Sequence, residues 1–91
     1  MKYTEAQKAL ISAMLETRIA PRTKSPSLRA QLVTALDHMA ADALTESDLI
    51  LLSSAVELLV TATPETGSKE EWTDLIEILM TTRRMLADIT E

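Results

Sequence analysis

The sequence predicts an all-α protein: a four-helix antiparallel bundle with helices over about 5–20, 26–43, 46–63 and 69–89, built as a single domain across residues 1–91. Three observations lead there. One Gly and three Pro in 91 residues are too few for the turns of a small β-protein. Four helix-start signatures divide the chain into runs rich in Leu, Ile, Met and Ala. The connections between those runs are short, which favours antiparallel neighbours in up-down-up-down order, although crossed helices would use the same segments.

The first helix opens at Thr4, whose pairing with Gln7 forms a capping box that satisfies orphan amides at a helix start, and it runs to Pro21. Ser25 and Pro26 read as N-cap and first helical residue of the second, because a proline loses nothing there by lacking an N–H. Thr45 with Asp48 caps the third, and Leu44 and Leu49 stand where a hydrophobic staple forms. This helix is expected to stop before Pro64, with Thr63-Pro64-Glu65-Thr66-Gly67 as a turn; Ser68 and Glu71 then open the fourth.

At about 100° per residue, each helix shows its apolar face. The first groups Tyr3, Ala6, Leu10, Ile11 and Met14, with Lys8, Ser12 and Glu16 opposite. The second groups Leu28, Leu32, Ala35, Leu36, Met39 and Ala43, turning Gln31, Thr34 and His38 to water. On the third, apolar residues from Leu49 to Ala62 sweep roughly 200°, where a surface helix needs nearer 100°. The fourth carries one line of Trp72, Leu75, Ile76, Leu79 and Leu86 and a second of Ile78, Met85 and Ile89. That excess points to a partner surface, most simply a homodimer whose interface would use Leu51, Leu58, Ile78, Met85 and Ile89. A compact bundle with the third helix at its centre is the alternative.

Charge is unevenly spread. From residue 17 to 36 stand four basic residues, Arg18, Arg22, Lys24 and Arg29, with no acid, whereas Asp37 to Glu77 holds ten acids against Lys69 alone. In an up-down bundle the basic turn and the acidic turn near Glu65 and Glu70 share one end, so mutual attraction accounts for both. The basic group also forms a candidate anion site, because it flanks the start of the second helix, where free amides and the helix dipole favour a phosphate. Glu70, Asp74, Glu77 and Asp88 lie along one side of the fourth helix, where a basic partner would read them. Three of them could meet a cation, but one helix cannot wrap an ion and no metal site is expected. Arg83 falls on the apolar face, where it must snorkel or reach a partner. His38, with Asp42 one turn on, reads as a solvated surface histidine.

These features bound the function. With no cysteine, no Ser/His/Asp order, no phosphate loop and no metal motif, the sequence points to no enzyme and no cofactor. A net charge of −5 argues against direct nucleic-acid binding and against anionic membranes. A helix-turn-helix is also disfavoured, since the third helix would offer the groove Leu, Val, Ser and Glu. The absence of a basic leader or apolar span gives a cytoplasmic expectation. The remaining class is an acidic, non-enzymatic protein-interaction module that binds and inhibits another protein, by occupying a basic or nucleic-acid-binding surface. Small inhibitors of phages and mobile elements share this size and composition, an analogy only. The alternatives are a binder of a small phosphate-bearing ligand at the basic turn, or a structural oligomerisation protein.

Overall fold

A computed structural model of the chain describes residues 2–66 and 68–90, with the side chains of 2–62 and 68–89. Four helices carry the fold: α1 (Glu5–Met14), α2 (Pro26–Ala40), α3 (Glu46–Thr66) and α4 (Lys69–Thr90). Among the described residues there is no strand, and none of the helices is long and apolar enough to cross a membrane.

Long-range side-chain pairs fix the antiparallel order. Tyr3, before α1, bonds Thr82 late on α4, while Arg18, beyond α1, meets Glu71 at the start of α4. Lys8 of α1 reaches Asp42, just past the end of α2. Glu57 on α3 and Arg83 on α4 face one another across the last hairpin. The basic and acidic turns therefore do share one end of the bundle, joined there by the Arg18–Glu71 pair. Pairing is most extensive between α3 and α4; α2 lies against α3.

All four predicted starts form. Thr4 and Gln7 exchange both capping-box bonds, at 3.1 and 2.9 Å, and Thr45 and Asp48 do the same, at 3.2 and 3.0 Å. Ser25 accepts from the Leu28 amide and Ser68 from the Glu71 amide. Each such cap stabilises its helix by about 1 kcal/mol.

The ends differ from prediction, each for a local reason. The first helix is α-helical only to Met14; Leu15–Ile19 form a widened π turn and Ala20–Arg22 a tight 3-10 turn. Pro21 drives this, because its ring would clash with the Thr17 carbonyl one α-turn back, and the Thr17 hydroxyl already takes the Ala13 carbonyl at 2.6 Å. The second helix ends at Ala40 rather than Ala43. Asp42 adopts a left-handed conformation, φ 54°, so that its amide bonds the Met39 carbonyl and the Ala43 amide the His38 carbonyl, which is a Schellman cap. Glycine usually holds that position, so an aspartate there gives no stop signal in the sequence. The third helix runs on through Pro64 to Thr66 instead of stopping before the proline: proline's own φ is helical, and with two residues beyond it the lost bond and the ring's crowding fall on the last turn alone. Gly67 lies outside the described residues.

The interior is aliphatic. Ile11, Leu15, Met39, Leu49, Leu52, Val56, Leu75 and Ile78 are buried, and Tyr3 is the aromatic ring among them. Both apolar lines of α4 contribute: Leu75 and Leu79 from one, Ile78 and Met85 from the other. Thr82, polar and buried between them, gives its proton to the Ile78 carbonyl at 2.7 Å, so Tyr3 must be the donor in the bond between the two hydroxyls. Lys8, placed opposite the apolar stripe by helical phase, is in fact buried. Its stem covers the core edge while its ammonium meets Asp42 at 2.9 Å and Glu5 at 3.4 Å. The bond to Asp42 raises the Lys8 pKa against the opposing effect of burial, and the same bond holds Asp42 below the ordinary carboxylate value.

Candidate functional site

Two surfaces carry the chemistry. The first is the outer side of α4, where Glu70, Asp74 and Glu77 are exposed at helical spacings of four and three. None of the three has an ion-pair partner within 4.0 Å among the described residues, in contrast to Glu5, Asp42, Asp48, Glu57 and Glu71. Asp88 shares their helical face but stands apart: at 1.5 Å per residue it is roughly 16 Å beyond Glu77, with Arg84 between. It borders a cleft at the opposite end of the bundle together with Lys2, Asp42 and Ile89. The acidic line is thus continuous only from Glu70 to Glu77. Trp72 and Met80 are also exposed on α4.

Arg83 snorkels from the α3–α4 seam: its side chain is 60% exposed and its guanidinium lies 3.7 Å from Glu57. The five residues assigned to a dimer interface also separate. Ile78 and Met85 pack inside the chain's own core, since α4 is covered on two sides and both its apolar lines face inward. Leu51 is half-buried, while Leu58, 62% exposed, and Ile89 stand on the surface.

The second surface lies at the end of the bundle where α1 gives way to the π turn. Arg18, Ile19, Arg22 and Thr23 form one wall of a groove of about 410 Å3, and Leu58, Leu59 and Ala62 of α3 form the other. Arg18 donates through Nη2 to Glu71 at 3.4 Å; its Nη1 is buried with no hydrogen-bond partner. The four-residue anion cluster expected from sequence is not assembled around α2. Arg29 turns back so that its Nε donates to the Thr23 carbonyl at 2.9 Å, and it borders a different cavity, with Leu32 and Val33. At the start of α2, Pro26 has no N–H and Ser25 occupies the Leu28 amide, which leaves little for an anion. Lys24 is exposed and lines neither cavity.

One polar cluster was missed by helical phase alone. His38 pairs with Asp48, not Asp42: Nδ1 lies 2.6 Å from Asp48 Oδ2, which also accepts the Thr45 amide at 3.0 Å. Burial would raise the Asp48 pKa, but the bonds from Thr45 and His38 outweigh it and hold the carboxyl below its usual value. Asp48 is then an ionised acceptor, so His38 carries its proton on Nδ1. The signal available in the sequence was the short 41–45 connection, which brings the end of α2 beside the cap of α3. Among the described residues, no three of His, Cys, Asp and Glu gather closely enough to hold a metal ion.

The chain matches no protein family, no curated protein and no solved structure.

Proposed function

We propose that the chain is a non-enzymatic interaction module of the cytoplasm that binds a basic surface of another protein through α4 and so blocks it. The carrying observation is the exposed line Glu70, Asp74 and Glu77, without an ion-pair partner among the described residues. A helix presenting carboxylates at successive turns offers a spaced negative charge pattern, which complements the Lys and Arg rows of a nucleic-acid-binding groove. Met80, exposed beside Glu77, adds apolar area at the edge of that line.

The test compares wild type with E70K/D74K/E77K as bait in extract of the native host, read by mass spectrometry. The reading expects basic proteins, captured less as salt rises and lost by the variant. Equal capture by both baits rejects it. Self-association is a second reading, favoured by the exposure of Leu58 and Ile89. Sedimentation at micromolar concentration decides it, a species of one chain mass excluding the dimer.

A further inference from the structure

The groove beside the π turn combines features that neither the acidic face nor the fold accounts for. One wall is apolar, made by Ile19, Leu58, Leu59 and Ala62, and among the described residues no carboxylate lines it. Two guanidinium groups, those of Arg18 and Arg22, stand at its edge. Arg18 donates through Nη2 to Glu71 at 3.4 Å, whereas Arg22 is exposed and has no carboxylate within 4.0 Å among the described residues. An exposed guanidinium with no carboxylate partner beside an apolar wall leaves a charge that a ligand's acid group can meet. The groove volume of about 410 Å3 falls in the range of small-ligand sites, roughly 300–1,000 Å3.

We propose that this groove binds an amphipathic monoanion, with its carboxylate on Arg18 and Arg22 and its apolar body along Ile19, Leu58 and Ala62. Charge complementarity selects the head: a guanidinium meets a carboxylate through N–H···O bonds, and Arg22, unlike Arg18 with its Glu71, has no ion-pair partner within 4.0 Å among the described residues. The apolar wall selects the body. A bare phosphate gains nothing from Ile19 and Leu58, and a neutral hydrocarbon leaves Arg22 without a counter-charge. The site is on a different face from the α4 line and stands or falls independently of it.

The experiment is an amide-resolved NMR titration of the full chain with sodium decanoate below its micelle concentration, alongside decanol, sodium acetate and inorganic phosphate. Decanoate is expected to shift the amides of residues 18–23 and 58–62 to saturation, with each of the other probes weaker by about ten-fold or more, the equivalent of one well-made charged contact. Arg22→Gln, at an exposed position, should weaken decanoate by a similar factor and leave decanol unchanged. The proposal is overturned if decanol or phosphate matches decanoate, if Arg22→Gln has no effect, or if decanoate leaves residues 18–23 and 58–62 unshifted.

Discussion

The bond between Tyr3 and Thr82 joins positions 79 residues apart in the chain and is buried, so its removal should be measurable and its direction is fixed. Thr82 spends its single proton on the Ile78 carbonyl, which makes Tyr3 the donor and Thr82 the acceptor. The two deletions are therefore unequal. Tyr3→Phe removes the donor but leaves Thr82 still bonded to Ile78, a loss of about 1 kcal/mol. Thr82→Val keeps the side-chain shape but strands the tyrosine hydroxyl in the core, at about 1–3 kcal/mol. The double variant should cost less than the sum, with a coupling of about 1 kcal/mol, because the stranded hydroxyl is gone. Urea unfolding followed by far-UV circular dichroism reads these values; for a domain of this size 1 kcal/mol moves the melting temperature by about 4–8 °C. Additive costs, or a Tyr3→Phe penalty larger than that of Thr82→Val, would refute the assigned donor. A pH series adds an independent check. Burial pushes the Tyr3 phenol above its ordinary value of 10.0, against the weaker pull of Thr82, so its contribution is complete below that pH and lost as pH rises through the folded value. Lys8, whose pKa is also raised, titrates in the same alkaline region, so the tyrosine's share is the part of the slope that Tyr3→Phe removes.

Ile78→Ala should destabilise by about 2–5 kcal/mol, as truncation of a fully buried side chain does, whereas Leu58→Ala should change stability by no more than about 0.5 kcal/mol; thermal unfolding distinguishes them. Asp48 contributes stability above its unfolded value of 3.8 and loses it as pH falls through the lower folded value, so acid unfolding of Asp48→Asn should start from a lower plateau and show a shallower slope. At position 42, glycine should be tolerated better than alanine, because both lose the Lys8 pair but only alanine retains the left-handed strain; melting temperatures in one buffer give the ordering.

Helix starts were legible because capping is chemistry between neighbours: Thr4 with Gln7, Thr45 with Asp48 and Ser25 with Leu28 are complete within four residues. Helix ends were not, because they depend on distant or unusual partners. Asp42 takes the cap position of a glycine and is held by Lys8 from another helix. The core face of α4 was half legible. Leu75 and Leu79 follow from periodicity, but whether Ile78 and Met85 face a second copy or the same chain depends on how many neighbours α4 has. The charge segregation was readable as a count, and its meeting point, Arg18 with Glu71, follows from antiparallel order. The groove was not readable, since its walls come from segments nearly forty residues apart and its shape depends on a turn that departs from the α-helix.

That departure sets the angular register of everything after it. A π turn takes up about one more residue than an α turn, so side chains beyond Met14 lag by roughly 100° relative to an uninterrupted helix. Which way Arg18 points is then decided by the number of residues between Met14 and Pro21 as much as by their identity. Deleting one of them would rotate Arg18 and Arg22 by roughly 100° about the axis of α1, a larger disturbance than any single substitution in the segment.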